Sequence, residues 1–166
     1  MVIHTMVAPK QKTNPGVVIT HPNRGKPIVQ STRLIVVLLL LASAGLVLVI
    51  TIGGWEVLEN AAPIEFAYAA IYIGLAFYAL RWNRGVLPVA SSLAVFLAIF
   101  ALVSGFSWFD RDKAGFAQAH LSSSLLGTLT FLVIPVQLLL IIFAMRGFSQ
   151  GWNVELEKPA SYAGEH

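Results

Sequence analysis

Four long apolar runs dominate the sequence and constrain what it can fold into. They lie at about residues 34–52, 64–80, 86–108 and 121–145. Each is close to the roughly 20 residues that an α-helix needs to cross the hydrocarbon core of a bilayer. Glu65, near the start of the second run, is the only charged residue within them. Because short polar segments separate the runs, the sequence predicts an all-α integral membrane protein, an antiparallel bundle of four transmembrane helices.

The composition indicates that lipid is the main solvent. Hydrophobic residues make up 57% of the 166 residues and charged residues only 11%, whereas a soluble domain carries roughly 25% charged residues. Cysteine is absent, which excludes disulfide bonds, thiolate metal sites and thiol nucleophiles. The net charge of +3 comes from basic residues that mostly flank the apolar runs. That distribution is typical of a membrane protein, and we expect no binding of nucleic acid.

Two polar tails flank a transmembrane domain that covers residues 34–146. Residues 1–33 contain four prolines, five lysines or arginines and no acidic residue. The sequence predicts that this tail is extended and is attracted to anionic lipid headgroups; a partner-binding arm is the alternative. Residues 147–166 form a second polar tail, in which we expect Trp152 to lie in the membrane interface.

The basic residues also predict an orientation. The first tail holds five of them, Arg81 and Arg84 lie between the second and third runs, and Arg146 closes the fourth. The loop after the first run has no basic residue but carries Glu56 and Glu59. The loop after the third run has two basic and two acidic residues, which weakens the pattern. Under the positive-inside rule both termini are predicted on the cytoplasmic side, and we expect a multi-pass protein of a bacterial inner (plasma) membrane.

Small residues recur along one face of the third run. They are Ala90, Ala94, Ala98, Ala101 and Gly105. Small side chains let helix backbones approach closely, which is how membrane helices associate when burial of apolar surface gives no advantage. The favoured interpretation is packing within the bundle, and the alternative is a docking face for another subunit.

The fourth run contains the most polar position within the predicted spans. Pro135 has no N–H to donate to the carbonyl of Phe131, so the helix is expected to bend there, with a threonine or water satisfying that carbonyl. Gln137 must find a hydrogen-bond partner on a neighbouring helix. Thr128 and Thr130 lie one to two turns earlier. Helix association plus a kink is the favoured interpretation, and contact with a substrate or quinone is the alternative.

Acidic residues and one histidine collect in the segments predicted to lie outside the cell. They are Glu56, Glu59, Glu65, Asp110, Asp112 and His120. Carboxylates with a histidine could bind a divalent cation. Their spacing matches no metal motif, so solvated loop charge is the favoured interpretation. Glu65 lies in the first turn of its predicted helix and could complement the positive helix N-terminus.

The sequence contains no recognisable catalytic constellation. It lacks a phosphate-binding glycine loop, a serine nucleophile elbow and an HExxH motif. The four histidines all lie outside the middle of the runs, so a haem held by two histidines within the membrane is excluded. We therefore expect no enzyme, metal or cofactor, but a non-catalytic accessory or structural subunit of a respiratory, transport or secretion complex. In that role the chain would contact lipid and other membrane subunits. The alternative is a small oligomeric transporter or channel, which would need a water-accessible polar path.

Overall fold

The computed structural model describes residues 17–111 and 119–159. This part of the chain is mostly helical. Its elements are β1 (Val17–Thr20), α1 (Pro27–Gly53), α2 (Trp55–Leu58), α3 (Ala62–Leu80), α4 (Val86–Phe109), α5 (Ser123–Ser149) and β2 (Leu156–Pro159).

Four of these helices, α1, α3, α4 and α5, are long and apolar enough to cross a membrane. They coincide with the four apolar runs of the sequence. Within the described residues, the predicted number and positions of the long apolar helices are therefore confirmed. The fold departs from all-α in one respect, because β1 and β2 form a two-stranded antiparallel sheet that pairs Val18 with Lys158.

Two helices extend beyond the predicted spans at the end of the bundle where the tails lie. α1 begins at Pro27, seven residues before the predicted start at residue 34. Proline suits the first turn of a helix, because its fixed φ is helical and its missing N–H would have no partner there. The prediction of an extended tail is thus wrong for residues 27–33. α5 likewise continues past residue 145 to Ser149, and each of these two helices is about 40 Å long.

The helices pack in the spatial order α3, α1, α5, α4. α1 lies between α3 and α5, and α4 packs mainly against α5. α3 and α4 are consecutive in the sequence, yet they contact each other little. The main core is built from residues such as Leu40, Tyr72, Ala94 and Leu140. A second, smaller core around Leu126 lies toward the other end of the bundle.

The two tails fold together over one end of the bundle. We call this part the terminal cap, which consists of residues 17–33, 81–85 and 146–159. The opposite end, formed by residues 53–62, 109–111 and 119–123, is called the loop end. Trp152 was predicted to lie in the membrane interface, and its side chain is completely buried in the terminal cap. The tails pack against each other and surround the ring with protein, while its position relative to the membrane stays a prediction.

Candidate functional sites

The small residues of α4 face the interior of the bundle. Ala90, Ala94, Ala101 and Gly105 are buried, and Ala98 is half-buried. α5 covers this face closely. A Cβ atom added to Gly105 would lie 3.0 Å from the ring of Phe131 on α5. These residues therefore provide internal packing, and the surface that a docking face would need is already occupied.

Gln137 joins three helices through a closed set of hydrogen bonds. The hydroxyl of Tyr72 on α3 donates to its Oε1 at 3.0 Å, and its Nε2 donates to the hydroxyl of Ser43 on α1 at 2.9 Å. The Ser43 hydroxyl donates in turn to the carbonyl of Leu39 at 2.7 Å. All three side chains are fully buried. The amide thus has the interhelical partners that its polarity requires, and the network stabilises the junction of α1, α3 and α5.

The other polar residues of α5 bond within their own helix. Thr128 donates to the carbonyl of Ser124 and Thr130 to that of Leu126, each at 2.8 Å. Pro135 leaves the carbonyl of Phe131 without a backbone donor, and a threonine or water was expected to donate to it. Thr128 and Thr130 donate to other carbonyls, so neither hydroxyl fills this role. Pro135 lies inside the helix and is exposed on its outer side.

The acidic residues of the loop end are dispersed. Glu56 accepts an ionic contact from Nε2 of His120 at 3.1 Å, with both side chains well exposed. Glu59 points into solvent, and Glu65 accepts a hydrogen bond from Thr51. Asp110 caps the end of α4, and Asp112 lies outside the described residues. Across residues 17–111 and 119–159, no group of three or more acidic or histidine side chains is arranged to hold a metal ion.

A groove opens between α3 and α4 in the half of the bundle nearer the loop end. It has a volume of about 410 Å³ and an almost entirely apolar lining. α1 and α5 supply its floor through residues such as Val47 and Val133, and α4 supplies one wall from Leu97 to Trp108. The groove exists because α3 and α4 contact each other little, although the short turn at residues 81–85 joins them. Its most polar lining residue is Glu65, which sequence reasoning assigned to the loop charges rather than to a cavity.

The terminal cap is built around two tryptophans in contact. The rings of Trp82 and Trp152 meet edge to face, with centroids 5.7 Å apart. The guanidinium of Arg33 lies over the Trp82 ring at 4.0 Å, and that of Arg24 lies 5.7 Å from the same ring. Trp82 adopts a left-handed backbone with φ of 63°, which is uncommon for a bulky residue. The contacts on both sides of its ring offset that conformational strain.

Polar contacts then fasten the N-terminal segment to the C-terminal segment. The side-chain amide of Asn23 donates to the carbonyls of Gln150 and Gly151 at 3.2 and 3.1 Å. Nε of Arg24 donates to the carbonyl of Trp152 at 3.2 Å. Gln150 donates to Thr32 at 3.0 Å. These bonds satisfy the exposed end of α5 and make the cap one folded unit.

Comparison of the chain with family models, curated proteins and solved structures gives no match. Function must therefore be inferred from the two surfaces that the fold presents, namely the terminal cap and the groove between α3 and α4.

Both surfaces were missed by sequence reasoning for the same reason. Each combines residues that are distant in the sequence, such as Asn23 with Gly151, and Glu65 with Trp108. The only local signal was the unusual number of aromatic and basic residues around Arg81–Gly85 and Gly147–Trp152. That signal indicated a helix end in the headgroup region, but not that the two segments bind each other.

Proposed function

We propose that this protein is a non-catalytic accessory or structural subunit of a larger membrane assembly, and that it binds its partner through the terminal cap. The observation that carries the proposal is the sheet formed by β1 and β2. Its residues Val18, Ile19 and Leu156 are 40%, 50% and 48% exposed. Large apolar side chains on a surface that lipid does not cover mark an interaction site.

The proposal requires these side chains to lie beyond the apolar layer, and the position of the sheet in the bundle supports it. Arg33 donates from Nη1 to the carbonyl of Leu80 at 3.1 Å, so Arg33 lies level with the end of α3. From there α1 continues six residues further, to Pro27, which adds about 9 Å along the helix axis. β1 precedes that helix start. This arrangement supports a position of the sheet outside the hydrocarbon.

The form of the sheet favours a strand as the partner's contact. An isolated pair of strands is marginally stable in water and presents unpaired backbone groups along both outer edges. Among the described residues, β1 and β2 pair only with each other. A partner strand added to either edge would satisfy those groups and cover Ile19 or Leu156, which is a common mode of protein recognition.

Charge supports an orientation with the terminal cap in the cytoplasm. Five arginines surround the cap: Arg24, Arg33, Arg81, Arg84 and Arg146. Basic residues concentrate on the cytoplasmic side of membrane proteins and are attracted there by anionic lipids. We therefore propose an N-in, C-in protein of a bacterial inner membrane, whose cap contacts both lipid headgroups and the partner subunit.

The buried polar network argues against the alternative of a transporter or channel. Gln137, Tyr72 and Ser43 are completely buried and bond to one another. A solute path would require such groups to face water. These three side chains are committed to holding α1, α3 and α5 together.

The test is to purify the full-length protein from its native membrane in mild detergent. We expect a fixed set of membrane subunits to copurify at constant stoichiometry. Ile19→Lys, which places a charge on the exposed face of the sheet, should reduce their recovery at least about tenfold. The matched control is Ser31→Lys, which adds the same charge at an exposed position of the cap outside β1 and β2 and should leave recovery unchanged.

Three outcomes would contradict the proposal. One is a homogeneous homo-oligomer that moves a solute across liposome membranes, because that behaviour identifies a transporter or channel. The second is a set of partners whose recovery is the same for the wild type and Ile19→Lys, because the contact would then lie elsewhere. The third is binding of the purified protein to anionic vesicles that is lost in Ile19→Lys, without any copurifying subunit, because it would assign the sheet to the membrane surface instead.

A further inference from the structure

We propose that the groove between α3 and α4 binds one hydrocarbon chain of a lipid with a primary ammonium head, and that Glu65 binds the head. This site lies toward the loop end, away from the terminal cap. Its failure would therefore leave the proposed partner role unaffected.

The groove has the dimensions of a lipid chain in one leaflet. Along α4 it runs from Leu97 to Trp108, eleven residues or about 16 Å. Half of a hydrocarbon core of roughly 30 Å is about 15 Å. Leu97 lies near the middle of α4 and Trp108 near its end. The groove thus begins at the level of the lipid headgroups and ends close to the centre of the bilayer.

The lining suits an apolar chain rather than a solute. Residues such as Val47, Leu97, Phe100 and Val133 contribute only hydrocarbon or ring surface. The volume of about 410 Å³ falls in the range of ligand pockets that are lined mostly by apolar groups and contain a few polar groups. The polar atoms of Ser104 and Thr130 bond to backbone carbonyls of their own helices at 2.8 Å. Their hydroxyl protons are therefore not available to a polar ligand.

Glu65 supplies the polar feature at the headgroup end. It lies in the first turn of α3, and its Oε2 accepts a hydrogen bond from Thr51. Across residues 17–111 and 119–159, its other oxygen has no hydrogen-bond partner and no lysine or arginine forms an ion pair with it. A half-buried carboxylate in this situation favours a cation, and a primary ammonium offers three N–H donors.

An aromatic ring beside the carboxylate favours the same head. Tyr68 lies one turn after Glu65 on α3 and lines the groove with it, whereas the ring of Trp108 already has the guanidinium of Arg111 at 5.5 Å from its centre. A cation within about 6 Å of an aromatic ring centre is attracted by the negative face of the ring. Recognition of ammonium groups commonly combines such rings with a carboxylate. A neutral alcohol lacks the charge that both interactions use, and an anionic head is repelled by Glu65.

The hydroxyl of Thr51 sets up a direct competition. It lies within bonding distance of Glu65 and 2.7 Å from the carbonyl of Val47, and it has a single proton to donate. If that proton goes to Val47, Glu65 must itself be protonated to bond with Thr51, and the groove carries no charge. An ammonium ligand requires the ionised carboxylate. A preference of the groove for a cationic over a neutral ligand therefore indicates that Glu65 is ionised and accepts the proton of Thr51.

The experiment measures quenching of Trp108 fluorescence in neutral maltoside micelles. The background is Trp55→Phe, which removes the other tryptophan near the loop end. The probe is dodecylammonium with bromine on its third carbon, and the reference is the alcohol with the same brominated chain. We expect saturable quenching by the ammonium probe at a mole fraction at least about tenfold lower than for the alcohol.

Variants locate the two parts of the ligand. Glu65→Gln should raise the half-saturating mole fraction of the ammonium probe to that of the alcohol. Glu59→Gln, which removes an exposed carboxylate at the same end of the bundle, should change nothing. Ser104→Phe places a ring in the groove and should weaken quenching by both probes.

Equal affinity of the wild type for ammonium and alcohol would overturn the proposal, as would a preference that persists in Glu65→Gln. The comparison of the two probes on the wild type decides the question even if a variant does not fold. Helical circular dichroism and elution volume establish that each variant is folded before its binding is measured.

Discussion

The hydroxyl of Tyr72 donates a hydrogen bond to the side-chain oxygen of Gln137 at 3.0 Å in the fully buried centre of the bundle. Because Gln137 also donates to Ser43, a single amide connects α3, α5 and α1. In lipid, burial of apolar surface between helices adds little to the free energy of association. Interhelical hydrogen bonds of this kind therefore help to specify how the helices are arranged.

Replacing Gln137 with leucine should therefore destabilise the bundle. The substitution removes two interhelical hydrogen bonds and leaves the Tyr72 hydroxyl buried without its acceptor. We expect the free energy of unfolding to fall by about 1–2 kcal/mol, measured by helical circular dichroism during titration with SDS in mixed micelles. Thr128→Val is the control, because Thr128 is exposed and bonds only to its own helix. Equal stability of Gln137→Leu and the wild type would show that the junction contributes nothing measurable.

A methyl group added at Gly147 should displace the tryptophan of the terminal cap. A Cβ atom there would lie 2.9 Å from Cζ2 of Trp152 and 3.1 Å from Cδ1 of Leu87. Both side chains are fully buried and have no free space to move into. We expect Gly147→Ala to lower the free energy of unfolding by about 1–3 kcal/mol. Gly45→Ala is the matched control, because nothing lies within 4 Å of its added Cβ and it should show no loss.

Removal of the Trp152 ring should release the N-terminal segment from the cap. Trypsin cleavage after Arg24 reports this release directly, since Arg24 bonds to the carbonyl of Trp152 and packs beside Trp82. We expect Trp152→Ala to accelerate that cleavage at least about tenfold, because the segment opens more often. Trp55→Ala, which alters a 41% exposed ring at the loop end, should cleave at the wild-type rate. A tenfold faster cleavage in both variants would indicate general destabilisation instead.

The acidic residues of the loop end should not bind divalent cations. Glu56 pairs with His120, Glu59 points to solvent, and Glu65 faces Thr51. Their separate directions leave a cation with too few ligands for a specific site. Isothermal titration with Ca²⁺ or Mn²⁺ should give no saturable heat, and Glu56→Gln should change the free energy of unfolding by less than about 0.5 kcal/mol. Saturable binding that Glu56→Gln abolishes would restore the metal interpretation.

The helical architecture could be predicted because each part of it has a local cause. In lipid, an apolar run of about 20 residues must provide hydrogen-bond partners for all of its backbone N–H and C=O groups. A single segment can do this only as an α-helix. The need of Gln137 for an interhelical partner follows by the same reasoning. Its particular partners do not, because Tyr72 and Ser43 reach it only once the rotation and order of the helices are known.

The terminal cap and the groove could not be predicted from local patterns. A tail with four prolines and many charges is typical of an extended segment, and nothing nearby in the sequence indicates that Asn23 and Arg24 bond to residues about 128 positions away. The groove depends on how little α3 and α4 contact each other. A tight turn between two apolar runs usually joins neighbouring helices, and nothing in the sequence of residues 81–85 indicates that α3 and α4 contact each other so little.

The pairing of β1 with β2 has a consequence for the biogenesis of the protein. These strands hold the first and last segments that the structure describes, separated by all four long helices. During synthesis Val18 leaves the ribosome long before its partner Lys158 exists, so the N-terminal strand must wait unpaired until every helix is inserted. Contacts of such high sequence separation form late. Closure of the sheet is therefore a late step in folding, and until it occurs the N-terminal strand leaves its apolar residues and backbone groups unpaired.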